Sequence, residues 1–146
     1  PGSANRGRAS WVEPANFGQM SDRKPIVLVA EDDDALRKML GHVLGEVAEV
    51  HLAVDGMDAL AWLRDSNVVP ELVVSDVMMP RLDGLALAQR LKMDPRLSKV
   101  PVIFLTAKST PKDVIAGIQA GARHYLPKPF QRLELLDKVK KVLRIK

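Results

Sequence analysis

From Pro25 onward the apolar positions fall into five repeats of one pattern, a short apolar run followed by positions spaced three and four apart. The first run, Pro25-Ile-Val-Leu-Val-Ala30, is continuous and β-branched, as a strand buried on both faces requires. Leu36, Met39, Leu40, Val43, Leu44 and Val47 follow at helical spacing. A second strand is expected over Glu49 to Ala53, then a helix from about Gly56 to Arg64 with Asp55 as its N-cap. Leu72-Val-Val-Ser75 is the third run and ends in Asp76; Leu85, Ala88 and Leu91 mark the helix behind it. Pro101-Val-Ile-Phe-Leu105 is the fourth. Its helix opens on Thr110-Pro111-Lys112-Asp113, with a hydroxyl cap, proline at the first position and an acid at the third. Gly121 ends that helix. His124-Tyr-Leu126 is a short fifth strand, and Leu133, Leu136, Val139 and Leu143 form the stripe of a last helix.

Five βα units in roughly 120 residues predict a parallel sheet with helices on both faces. Right-handed crossovers leave few topologies, and the expected fold is α/β: a doubly wound, five-stranded parallel sheet of order 2-1-3-4-5, flavodoxin-like (βα)5, in a single domain over residues 25–146. Residues 1–24 lack periodicity and mix Gly, Ser, Asn and Pro, so they read as a flexible leader. Met20 is a candidate native start, which would make the residues before it foreign to the natural chain.

Composition changes the picture mainly by exclusion. With 47% hydrophobic and 27% charged residues the chain can bury a core and is not wholly disordered. The absence of cysteine removes disulfides, thiolate metal sites and thiol catalysis. No apolar run approaches the ~20 residues that span a bilayer, and no hydrophobic signal core lies between Pro1 and Met20. The expectation is a cytoplasmic protein without a membrane partner. The net charge of +4 shrinks on inspection: Arg6, Arg8, Arg23 and Lys24 precede Pro25 against Glu13 and Asp22, leaving +2 on the body. The C-terminal cluster Lys138, Lys140, Lys141, Arg144 and Lys146 reads as a solvated face that complements a helix dipole, so no direct nucleic-acid contact is expected.

In the predicted order, function belongs outside the carboxyl ends of the strands, where the order reverses between strands 1 and 3. The polar residues gather there. Glu31, Asp32 and Asp33 follow strand 1, Asp76 ends strand 3, Thr106 ends strand 4 and Lys128 follows strand 5. Carboxylates brought together raise the cost of ionising one another, and a hard cation such as Mg2+ relieves it with oxygen ligands. Asp33 or Asp34 is expected to cap the first helix, which leaves Glu31 and Asp32 for the metal. The chain has no P-loop, no G-x-G-x-x-G after strand 1 and no G-x-S-x-G elbow. His42, His51 and His124 show no ligand spacing and read as structural. A carboxylate, a metal, a hydroxyl and an ammonium remain, which is a phosphoryl-transfer set with Asp as nucleophile.

These residues resemble a known family. Ile26-Val-Leu-Val-Ala-Glu31-Asp32-Asp33, Val73-Val-Ser-Asp76-Val-Met-Met-Pro80 with Asp83-Gly84, Phe104-Leu-Thr106-Ala107 and Gly121-Ala-Arg-His-Tyr125-Leu-Pro-Lys128-Pro129-Phe130 look like bacterial two-component response regulator receiver domains, similar to the single-domain chemotaxis-regulator type. The spacings agree with it: 44 residues from Asp32 to Asp76, 30 to Thr106 and 22 more to Lys128. The resemblance implies that Asp76 accepts a phosphoryl group from a phosphohistidine on a sensor histidine kinase or phosphotransfer protein. It implies Mg2+ (or Mn2+) on Asp32 and Asp76, on Glu31 mainly through water, and on the carbonyl of Met78. Lys128 would pair with the carboxylate and then the phosphoryl oxygens. Thr106 and the Ala107 amide would bind the phosphoryl group, and Tyr125 would turn inward as Thr106 moves. The Lys128–Pro129 bond would be cis. The output would be a protein target on the helix 4–strand 5–helix 5 face, from a monomer or a phosphorylation-dependent dimer. Such a chain is a switch rather than an enzyme, catalysing only its own phosphorylation and dephosphorylation.

Two departures stand out. Arg123-His124 lies where winged-helix regulators of the family often carry two acids that help form their dimer on that same face, which speaks against that dimer. Met78 and Lys108 occupy the positions two beyond Asp76 and Thr106, where an apolar group and a cation should disfavour an attacking water. Two other readings fit less well. A haloacid-dehalogenase-type phosphohydrolase expects its nucleophile after the first strand with a second acid two residues later, but here Asp76 follows strand 3 and position 78 is Met. A pseudo-receiver would have lost Asp76, Lys128 or one of the paired acids, and all are present.

Overall fold

The computed structural model describes residues 23–107, 112, 115, 119 and 122–145. Each apolar run becomes a strand: β1 (Ile26–Ala30), β2 (Glu49–Ala53), β3 (Leu72–Asp76), β4 (Val102–Thr106) and β5 (Ala122–Pro127). All neighbours are parallel, and the order is β2-β1-β3-β4-β5, as the periodicity predicts. The described helices are α1 (Asp34–Leu44), α2 (Gly56–Ser66), α3 (Gly84–Met93) and α4 (Arg132–Leu143). Of the helix expected to begin at Thr110 and end at Gly121, only Lys112, Ile115 and Gln119 are among the described residues, each of them helical, and its ends lie outside them, as does the leader apart from Arg23 and Lys24.

Strand alternation divides the core in two. Leu28, Ala30, Val73 and Phe104 point to the face covered by α2 and α3, where they meet Ala59, Leu63, Leu87, Ala88 and Leu91. Val27, Val29, Leu72, Val74, Ile103 and Leu105 point to the other face and meet Leu40, Val43 and Leu44 of α1 with Leu135, Leu136 and Val139 of α4. Both faces are dry, so β3 and β4 are buried along their whole length. Burying each such side chain contributes about 1.5–3 kcal/mol, and truncating Phe104 would cost about 3–5 kcal/mol.

One core expectation needs correction. Leu133 is 71% exposed and Leu135 is fully buried in its stead. Gln131 caps α4 with a reciprocal Gln131–Glu134 box, and at 3.6 residues per turn Leu135, Leu136, Val139, Val142 and Leu143 share the face that packs on the sheet while Leu133 falls outside it. Smaller adjustments follow from capping too. Leu44 ends α1 and Gly45 caps it, so Val47 belongs to the turn that follows. Asn67, in the left-handed region, ends α2 beyond Arg64. His51 stacks on Trp62 with ring centroids 4.3 Å apart, consistent with a structural histidine. No helix among the described residues is long and apolar enough to cross a membrane.

Candidate functional site

The register builds the site. Ala30 pairs with Ser75, so the next residues, Glu31 and Asp76, emerge side by side from the centre of the sheet. Asp76 pairs with Leu105, and Thr106 pairs with Pro127. The Lys128 N–H then donates to the Thr106 carbonyl at 2.9 Å, which carries the lysine onto the same rim. The Lys128–Pro129 peptide is cis, as expected. Lys128 Nζ donates to Asp76 Oδ2 at 2.7 Å and to Glu31 Oε1 at 3.2 Å, the second a contact that the motifs did not announce.

The cluster is buried. Glu31 is fully enclosed and Asp76 is 6% exposed, whereas Asp32 faces solvent. Oxygens of Glu31, Asp32 and Asp76 all lie within 4.8 Å of one another. Burial pushes the Glu31 carboxyl above its ordinary range and the Asp76 charge adds to the rise; the Asp33 N–H, donating to Oε2 at 3.0 Å, and Lys128 pull it down. Burial pulls the Lys128 ammonium down, but its hydrogen bond and charge contact with Asp76, with Glu31 behind, leave it raised overall. One ammonium therefore serves two buried carboxylates, and a third lies open beside them. Three hard oxygen donors with surplus negative charge and an exposed side suit a small divalent cation that keeps part of its water.

The supporting shell explains the local sequence. Asp33, one of the two residues expected to cap α1, does so by accepting from the Leu36 N–H at 2.8 Å, and Arg37 Nη1 donates to the Glu31 carbonyl at 3.0 Å. Asp83 caps α3 through the Ala86 N–H at 2.8 Å. Gly84 follows because the chain passes directly over the end of β3: a Cβ there would lie 2.1 Å from the Asp76 carbonyl oxygen. Ser75 Oγ donates to that same carbonyl at 2.8 Å. The Met78 N–H donates to Asp76 Oδ1 at 3.3 Å while its side chain is 56% exposed over the rim.

Thr106 is buried at the end of β4 and Ala107 is exposed just beyond it. Tyr125 pairs with Phe104 in the ladder, and their rings meet edge-on at 5.5 Å. Alternation puts Thr106 on the same side of β4 as Phe104, and the Phe104–Tyr125 pair extends that row to β5. Lys108 lies outside the described residues. Sequence reasoning missed the pairing of Arg81 with Asp55, 26 residues apart, which no local pattern signals.

Comparison with known proteins agrees with this geometry. The family model for the response regulator receiver domain matches residues 27–140. Over 119 residues the chain is 41% identical to the response regulator MprA of Mycobacterium sp. (strain KMS), covering 81% of this chain and 50% of that protein, so it spans about half the length of that relative. The signal receiver domain of a signal transduction histidine kinase from Syntrophus aciditrophicus superposes with a TM-score of 0.74 at 36% identity, over 82% of this chain and 90% of that one. The receiver domain of the sensor histidine kinase PA1611 from Pseudomonas aeruginosa PAO1, which has a magnesium ion coordinated in its active-site cleft, superposes with a TM-score of 0.73 at 26% identity, over 83% and 98% of the two chains. The chain belongs to the receiver domain family of two-component response regulators.

Proposed function

We propose that this receiver domain is a cytoplasmic, phosphorylation-controlled switch in which Asp76 accepts a phosphoryl group from a phosphohistidine of a sensor histidine kinase or phosphotransfer protein. The observation that carries this reading is the buried Asp76 carboxylate held at 2.7 Å by Lys128 within a three-carboxylate cluster. Glu31, Asp32, Asp76 and the carbonyl of Met78 would hold Mg2+ or Mn2+. Bound there, the cation supplies charge neutralisation for the incoming phosphoryl oxygens.

In the transfer, a carboxylate oxygen of Asp76 forms the new bond to phosphorus. The bond from phosphorus to the donor nitrogen breaks, and its electron pair leaves with the imidazole. Asp76 needs no base because it is used as the anion. Lys128 first holds the carboxylate in place and then stays with the phosphoryl oxygens, so the positive charge is already positioned when the negative charge arrives. Asp76 is only 6% exposed, and Met78 two residues on leaves a hydrolytic water no polar side chain to orient it. The chain catalyses its own phosphorylation and dephosphorylation and acts on no other substrate.

Output runs along the Thr106–Phe104–Tyr125 row. The Thr106 hydroxyl and the Ala107 amide bind the phosphoryl group, and Tyr125 fills the space that Thr106 vacates. This changes the face that presents β5 and α4, where a protein target docks. Coupling of ~1–3 kcal/mol between phosphorylation and partner affinity is expected.

Beryllofluoride, a phosphoryl mimic, tests the reading with Mg2+ present. It should raise the melting temperature and shift the amide resonances of Asp76, Ala107 and Tyr125. In Thr106→Ala the thermal shift should persist while the Tyr125 response weakens. An equal thermal shift in Asp76→Asn, or none in the wild type, would overturn the assignment.

A further inference from the structure

Residues 77–83 connect β3 to α3 and carry Met78, whose carbonyl is assigned to the cation above. The segment is anchored at each end and at its middle. The Gly84 N–H donates to the Val77 carbonyl at 2.9 Å, and the Leu82 N–H to the Pro80 carbonyl at 2.7 Å. The Gly56 N–H, at the start of α2, donates to the Leu82 carbonyl at 3.1 Å, and a Cβ on Gly56 would sit 2.4 Å from that same oxygen. Beside this contact Arg81 Nε donates to Asp55 Oδ2 at 2.6 Å and Arg81 Nη2 to Asp55 Oδ1 at 2.9 Å.

Three properties separate this pair from an ordinary surface ion pair. The Asp55 side chain is 5% exposed although that of Arg81 is 60% exposed, and two hydrogen bonds join them, so the pair is two-pronged and shielded from water on the carboxylate side. Asp55 also caps α2 through the Asp58 N–H at 2.8 Å, so the arginine grips a rigid helix end rather than a mobile side chain. Arg81 itself has φ 67°, in the left-handed region that an arginine avoids and a glycine adopts freely. The side chain is thus retained at a backbone position that favours its absence. The hydrogen bond from Arg81 holds the Asp55 carboxyl below the usual carboxylate range, so the pair stays ionised through neutral pH.

We infer that Arg81 and Asp55 form a positioning clamp that holds the loop 77–83, and with it the Met78 carbonyl, against the Glu31–Asp32–Asp76 cluster. Neither residue touches the reacting atoms; both act through the loop backbone. The inference rests on the metal-dependent reading of the site for its consequence, though not for the restraint itself.

The test combines Mg2+ titration by calorimetry with amide hydrogen exchange on the metal-free protein. Arg81→Gly removes the grip while relieving the backbone, and Asp55→Asn removes the charge while keeping a good N-cap. Each should weaken Mg2+ binding about tenfold, the scale seen when a partner that orients a metal ligand is lost. The double variant should be no weaker than either single one, and Arg81→Lys should fall between. Exchange at Gly56 and Gly84 should quicken about tenfold in both single variants, with the melting temperature of Arg81→Gly no lower than that of wild type. Unchanged exchange in both variants would overturn the clamp, as would additive losses in the double variant. If the wild type bound no Mg2+ while exchange still quickened, the metal reading would fall and the restraint would stand.

Discussion

Replacing Lys128 by methionine probes the electrostatics of the site directly. The substitution keeps an unbranched apolar stem and removes the ammonium that touches Asp76 at 2.7 Å and Glu31 at 3.2 Å. Breaking a fully buried pair by removing one partner costs about 3–5 kcal/mol. The Lys128 side chain is 23% exposed, so water reaches the cluster and the expected loss is about 2–3 kcal/mol at pH 7 in chelator. For a domain of this size that is roughly 10 °C in melting temperature. The pH dependence has a definite sign. Burial holds the native Glu31 carboxyl above its ordinary 4.5, so its ionisation costs stability above the native value and acidification restores it. The variant, with no ammonium to offset that cost, should regain stability on going from pH 7 to pH 5, narrowing its gap to wild type. Lys128 is itself raised above 10.5, so its contribution is complete below that value and is lost as pH climbs through the native one. Wild type alone should show that alkaline loss. Urea denaturation followed by circular dichroism at each pH measures all of this. A variant as stable as wild type at pH 7 without metal, or a gap that fails to narrow at pH 5, would refute the reasoning.

Other perturbations separate metal, packing and backbone effects. Mg2+ at about 100 times its dissociation constant should add about 2.7 kcal/mol of stability, read as a rise in melting temperature that Asp32→Asn abolishes. Gly84→Ala should cost about 3 kcal/mol, because its Cβ meets the Asp76 carbonyl at 2.1 Å and neither backbone can yield cheaply. Gly41→Ala should be neutral or stabilising in the same melts, because its Cβ meets only the end of the flexible Leu52 side chain at 3.1 Å and the site lies inside a helix.

Periodicity carried most of the fold into the sequence. Continuous runs such as Ile26–Ala30 and Val102–Thr106 leave no polar face, which demands helices on both sides and hence the parallel order observed. The rim residues were legible because strand ends place Glu31, Asp76, Thr106 and Lys128 without help from distant contacts. What was hidden depends on phase or on long separations. A stripe of Leu133, Leu136, Val139 and Leu143 fits a helical period, but the face that packs on the sheet is shifted by the apolar pair it leaves out, Leu135 and Val142. The second contact of Lys128, to Glu31, spans 97 residues and becomes visible only when β1 and β5 are both placed. Arg81 gives no hint of its left-handed backbone, because arginine carries none of the composition signal that glycine or asparagine would.

The central claim is that Asp76 is the phosphoryl acceptor. Intact-mass measurement after incubation with acetyl phosphate tests it most directly, since phosphoryl transfer at this site requires mainly positioning and charge neutralisation. The account predicts a gain of one phosphoryl group that requires Mg2+ and is absent in Asp76→Asn. Labelling that persists in Asp76→Asn, or a wild type that stays unmodified with Mg2+ and donor in excess, would contradict it.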